Sequence, residues 1–196
     1  LYRENDLFLL KTEPCHMKIL VPQRDELSPE LAPYFDALEK SFGFVPKIGL
    51  VLGYSPNAFE AYLNLVQSHA RGTSFTEIER EVILLAVSEF HGSPYCLSAH
   101  TTYAISYGLS ETETVEARAT TIADPKLQFL AHFGRAIAEN RGKVSRQMLD
   151  DFEEWGFDAR ALIEAVALVM EATFSNYVAL LSKIPLDFPK VQPVTT

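Results

Sequence analysis

EIEREVILLAVSEFHGSPYCLSAH, residues 77–100, decides the fold. Thr76 stands before it and Glu79 three residues later, the capping-box spacing that opens a helix. From Val82 to Val87 the segment is apolar on every side, so the predicted helix lies deep in the protein. Gly92 ends it. Ser93-Pro94 then supplies an N-cap and a first-turn proline for a second helix. That helix runs through Cys96 and His100 to about Tyr107 and stops at Gly108. If the two helices fold back around Gly92, Glu81 (11 residues back) and His100 (8 forward) come side by side. At about 1.5 Å of rise per residue their distances along the axes differ by roughly one turn.

The same punctuation recurs outward from this pair. Ser28-Pro29-Glu30 opens a helix bearing Leu31, Tyr34, Phe35, Leu38 and Phe42, closed by Gly43. Ser55-Pro56 opens another, to about His69. Ser110 with Glu113 repeats the capping box. Asp124-Pro125 begins a helix with Leu127, Phe129, Leu130, Phe133 and Ile137, Ser145 a short one through Phe152, and Asp158 a long one through Leu181. MKILVP at 17–22 is the best strand candidate and is short; the tail PLDFPKVQPVTT reads as extended. The expectation is a single all-α domain over residues 17–196, of about seven or eight helices, with residues 1–16 read as a leader or upstream extension. Two nearly all-apolar helices in a small domain point to subunit contacts.

Composition narrows the function. The 196 residues carry a formal net charge of −9 and no Lys/Arg run, so a phosphate backbone would be repelled and nucleic acid is not the expected partner. The apolar run ALIEAVALVMEA is broken by Glu164 and Glu171, and no membrane span is expected. The reading is of a cytoplasmic protein. Two cysteines, Cys15 and Cys96, make neither a disulfide framework nor a zinc cluster, though a Cys15–Cys96 bridge stays open. No Gly-rich phosphate loop is present, and no metal, haem or flavin is expected.

The chemistry sits in the second helix. With Ser93 as N-cap, Cys96 is N3, where unpaired N–H groups and the helix dipole favour a thiolate near neutrality. His100, one turn on, shares its face and can take a thiol proton. Glu81 would orient that imidazole as the third member of a triad does. Glu89, eight residues after Glu81, would lie near the same pocket, and Ser93 and Tyr95 would line it. The plain alternatives are a buried Cys acting as a small hydrophobe, Ser93 as a cap only, Tyr95 as core or interface, Glu81 as a solvated charge, and Glu89 as a salt-bridged structural acid. His91 reads as a cation near the last carbonyls of its helix. His69 and His132 show no partner.

EREVILLAVSEFHGSPYCLSAH resembles the alkyl hydroperoxidase D / carboxymuconolactone decarboxylase family, peroxidase-related branch. The family pattern is a Glu, eleven residues, C-x-x-C, three residues and a His; Glu81, Cys96 and His100 match it, with Ser93 in place of the first Cys. The clear resemblance covers about residues 74–110. It implies an all-helical, alkyl hydroperoxidase D-like fold and a homo-oligomer such as a trimer, hexamer or dimer. It also implies an antioxidant peroxidase in which Cys96 reduces small organic hydroperoxides while Glu81 and His100 relay protons. Ser93 cannot resolve a sulfenic acid, so the implied cycle uses Cys96 alone and an external thiol reductant. Tyr95 replaces a His found between the cysteines in some members, which weakens proton delivery. Two other readings stay open: a decarboxylase or isomerase using His100 and Glu81 for proton transfer without the thiol, and a non-catalytic oligomeric member.

Overall fold

The computed structural model describes residues 18–69 and 72–194. Among them are nine α-helices and no strand: α1 (Ala32–Phe42), α2 (Lys47–Leu52), α3 (Pro56–Ser68), α4 (Glu77–His91), α5 (Pro94–Ser106), α6 (Glu111–Ala119), α7 (Pro125–Glu139), α8 (Arg146–Glu154) and α9 (Ala159–Ser182). Residues 18–22 of the strand candidate have no regular structure. The leader reading of residues 1–16 and any bridge from Cys15 lie outside the described residues.

Ser28 opens only a 3-10 turn, Pro29–Leu31, without a side-chain cap bond; the later caps fall where the sequence places them. Thr76 and Ser110 each accept from the N3 amide while Glu79 and Glu113 reach back, closing both capping boxes. Ser55, Ser93, Asp124, Ser145 and Asp158 cap their helices through side-chain oxygens. Gly92 takes a left-handed φ of 68°, which lets α4 stop and the chain reverse into α5.

α4 is the axis of the domain. It packs against α7, α9, α5 and α6, and Val82 to Val87 are buried on all sides. Ile83, Leu84 and Val87 join Leu130, Phe133, Phe152, Phe157 and Leu168 in the main core. Val82, Leu85 and Ala86 face α5 to α7 in a second. A third, built on Leu31, Phe35, Leu52 and Phe59, holds α1 to α3 together. Among the described residues α9 is the one helix long and apolar enough to cross a membrane, but 44% of its apolar stretch is buried inside the domain. There it carries the polar side chains Glu171, Ser175 and Asn176. Its other face leaves Ile163, Met170, Tyr177 and Leu181 more than half exposed.

The α4–α7 crossing is close because Gly134 lacks a side chain. A Cβ there would lie 2.7 Å from Cγ2 of the fully buried Ile83. Ile83 is β-branched and cannot step aside. Gly134→Ala gains about 1 kcal/mol of helix propensity but overpacks the core at about 1–3 kcal/mol. The expected result is a net loss of about 1 kcal/mol, seen as a lower urea midpoint with unchanged helix content.

Candidate active site

α5 delivers Cys96 and His100 into one pocket of about 150 Å³. α3 adds Phe59, Tyr62 and Val66, α9 adds Glu171 and Ser175, and α1 and α2 close the side with Phe42 and Ile48. Phe188, from the tail after α9, forms a further wall, edge-on to Tyr95 and Tyr103 and against Phe44.

The reversal at Gly92 brings Glu81 to His100, as the spacing requires. His100 Nδ1 and Glu81 Oε2 are 2.9 Å apart, both nearly buried. With Nδ1 committed to the carboxylate, Nε2 is the nitrogen left for the pocket. Burial opposes charge on this imidazole, but the field of Glu81, the hydrogen bond to it and the field of Glu171 prevail, and its pKa stands above the ordinary 6.5. Glu81 is thus a paired, buried acid rather than a solvated one.

Cys96 corrects one expectation. Its side chain is 3% exposed, and burial pushes the thiol up to about 11, against the opposing pull of the Ser93 and Ser175 hydroxyls. A helix N-terminus gives an anion at most about 2 kcal/mol. Desolvating an ion costs several kcal/mol, so the thiol remains protonated. On that scale about one molecule in 10⁴ carries the thiolate at pH 7. Its S–H points to Ser175 Oγ at 3.9 Å, and Ser175 donates in turn to the Glu171 carbonyl at 3.1 Å.

Ser93 is fully buried and caps α5 by accepting from the Cys96 amide. Tyr95 lines the pocket, and its phenol donates to Asp187 at 2.7 Å. Burial and this bond raise its pKa far above the ordinary value, so it stays a neutral donor. Glu89 is a second correction. It lies 3.6 Å from Arg118 and accepts from the Val194 amide at 2.8 Å, while Arg118 donates to the Gln192 carbonyl. Eight residues overshoot two turns by about 80° at 3.6 residues per turn, and that turns Glu89 from the thiol pocket toward the tail. A roomier cleft of about 600 Å³ lies there between α5, α6 and residues 189–194; neither Cys96 nor His100 lines it. His91 is a third correction: burial lowers its pKa, and it pairs with the Thr173 hydroxyl at 3.1 Å rather than acting as a cation.

Sequence reasoning missed four partners. Glu171 lines the pocket and lies 3.2 Å from Nε2 of His69. Tyr62 sits beside Ser175, and Phe188 walls the mouth. Glu171 left one signal, a carboxylate inside an apolar helical run; the others left none.

The tail is pinned by Asp187, which is 7% exposed at its side chain, accepts from the Lys47 amide and Tyr95 hydroxyl at 2.7 Å each, and ion-pairs with Lys47. Asp187→Ala strands two donors and frees Phe188. The expected cost is about 1–3 kcal/mol, with faster proteolytic nicking near Leu186 and several-fold faster alkylation of Cys96. Unchanged nicking and alkylation would show that Asp187 does not hold this wall.

Residues 56–128 match the model of the Carboxymuconolactone decarboxylase family, a stretch that contains Glu81, Cys96 and His100. Over that segment the chain is similar to the carboxymuconolactone decarboxylase family. No curated protein matches the sequence at a significant level. Among solved structures, the fold is shared with an uncharacterized peroxidase-related protein from Ralstonia eutropha JMP134, an alkylhydroperoxidase AhpD core. Its TM-score is 0.77 at 21% identity, over 86% of this chain and 91% of that one. A peroxidase-related protein from Silicibacter sp. TM1040 gives 0.75 at 18%, over 89% and 94%. A cysteine-to-alanine variant of the debrominase Bmp8, in complex with 2,3,4-tribromopyrrole, gives 0.73 at 20%, over 87% and 93%. The expected all-α, alkyl hydroperoxidase D-like fold is the one observed.

Proposed function

We propose that this protein is a thiol-dependent oxidoreductase that reduces small organic hydroperoxides with Cys96, regenerated by an external thiol. The observation that carries the reading is the shared pocket: Cys96 lines it beside a His100–Glu81 pair at 2.9 Å. The Cys96 sulfur gives up its thiol proton and attacks one peroxide oxygen; an S–O bond forms as the O–O bond breaks, His100 gives its Nε2 proton to the departing alkoxide, and the thiol proton, passed through solvent, restores His100. The products are an alcohol and a sulfenic acid at Cys96. Ser93 cannot close a disulfide, so an external thiol condenses with the sulfenic acid, releasing water, and a second thiol frees Cys96. A cytoplasmic setting would supply that reductant. No Lys or Arg is among the described lining residues, which favours a neutral, apolar hydroperoxide. We also propose a homo-oligomer, with the exposed apolar face of α9 as the surface that favours it.

A second reading is reductive dehalogenation of a small aromatic ring. The pocket favours it: about 150 Å³, with aromatic walls from Phe42, Phe59, Tyr62, Tyr103 and Phe188. An engineered apolar cavity of about that size admits benzene. The neighbour Bmp8 is a debrominase crystallised with a brominated pyrrole. Cys96 would lose its thiol proton and take the bromine as the C–Br bond breaks, His100 would protonate the ring carbon, one external thiol would displace bromide to leave a mixed disulfide, and a second would free Cys96.

The test is consumption of tert-butyl hydroperoxide, and release of bromide from tribromopyrrole, with dithiothreitol as reductant. Saturable peroxide consumption lost on alkylation of Cys96 is the expected result. Bromide release alone supports the second reading. Activity toward a lactone that survives alkylation would instead assign His100 and Glu81 to proton chemistry without the thiol, and no reaction with any of the three would leave a non-catalytic fold.

A further inference from the structure

We propose that Glu171, which lies beside His69, is the proton acceptor for the Cys96 thiol, working from the α9 side of the pocket, while the Glu81–His100 pair acts as proton donor. This deepens the thiol reading above and rests on it for the peroxide step. The Glu171 side chain is about nine-tenths buried. Its Oε2 lies 3.2 Å from Nε2 of His69, and that nitrogen has no hydrogen-bond partner among the described residues. A buried carboxylate costs several kcal/mol unless it is paired, and His69 is the partner beside it. Glu171 also opens onto the cavity that Cys96 lines.

The geometry around the sulfur points the same way. The thiol directs its proton at Ser175 Oγ, and Ser175 follows Glu171 by one turn, on the same face of α9. Tyr62 stands beside Ser175 and within the fields of both Glu171 and Cys96. His100, already bonded to Glu81 and carrying a raised pKa, is suited to give a proton rather than to take one. The two carboxylates therefore divide the work. Glu171 removes the proton of Cys96 as the S–O bond forms, and His100, charged by Glu81, protonates the leaving alkoxide. Solvent then returns one proton to His100 and takes one from Glu171, so the cycle balances. The groups facing Glu171 are Tyr62 from α3 and His69 at its C-terminal end, and Cys96, His100 and Tyr103 from α5, with Glu81 of α4 behind His100.

Alkylation of Cys96 by iodoacetamide tests this without any peroxide. In Glu171→Gln the rate at pH 7 should fall at least about tenfold, and Glu171→Asp should recover part of it. If Glu171 were only a nearby charge, its removal would ease ionisation of the thiol and the rate would rise. A rise, or no change, overturns the proposal. The parent protein gives a second test should Glu171→Gln not fold. Its alkylation rate should level off between about pH 6 and pH 8, whereas an increase of about tenfold per pH unit across that range, as for an unassisted thiol, overturns it. A parent that alkylates as described but ignores hydroperoxide would remove the peroxidase reading and leave Glu171 as the base.

Discussion

Under the proposed thiol chemistry, Cys96→Ala should abolish hydroperoxide consumption, a fall of at least about 10³-fold, because it removes the one sulfur at the site, among the described residues, that would carry the oxygen away. Cys96 is the one cysteine among the described residues, and no other thiol lines the pocket. The site cannot compensate: the hydroxyls next to the sulfur belong to Ser93 and Ser175, and neither reduces a peroxide. Cys96→Ser keeps the volume, replaces the sulfur with a poor nucleophile and should be equally inactive. Both variants should fold, since the side chain is small and its loss leaves a cavity of about one methyl group, at about 1 kcal/mol. Thermal unfolding should move by only a few degrees while activity vanishes. Equal rates in parent and variant would end the thiol reading and transfer the site to proton chemistry on His100 and Glu81.

That thiol was legible in sequence for local reasons, and its ionisation was misread for non-local ones. Ser93, Pro94 and Gly92 fix where α5 begins, so the position of Cys96 at N3 follows from three neighbouring residues. Rise per residue around Gly92 then places Glu81 on His100. What buries the sulfur comes from far along the chain. Phe59 and Tyr62 arrive on α3, Ser175 on α9 and Phe188 on the tail, and no local pattern announces that they converge. The cap dipole is visible in sequence while the desolvation that outweighs it is not. α2 was missed because it lacks a signal: Pro46 precedes it without a side-chain cap, and Gly49 sits inside its six residues. Glu89 was misplaced by carrying a helical face through eight residues. Glu171 was noted only as a break in an apolar run, whereas buried beside His69 that break is the reason to look at it.

Glu81→Gln is the second large effect, and its pH dependence separates it from simple damage. The glutamine keeps the shape of the carboxylate and removes its charge. Burial, which opposes charge on His100, then acts with the main counterweight gone, and the imidazole pKa falls below the ordinary 6.5 instead of standing above it. The parent's imidazole, held toward its charged form by Glu81, is replaced by a ring that burial holds toward neutrality. Loss of a positioned proton donor costs about 10²–10⁴-fold, so turnover should fall by that factor at neutrality, and the basic limb of the rate profile should move to lower pH. Stability should respond with the opposite sign in the two proteins. A folded-state pKa raised above the unfolded one stabilises fully below about pH 6.5, and the gain is lost as pH rises through the raised value. In Glu81→Gln the folded pKa is depressed, so the contribution of His100 is lost as pH falls instead. Urea midpoints taken across pH 5.5 to 8.5 should therefore differ between the two proteins most at the acidic end, with the variant the weaker. Parallel midpoint curves and an unmoved basic limb would show that Glu81 does not charge His100, and with that the proton donor of the site would have to be sought elsewhere.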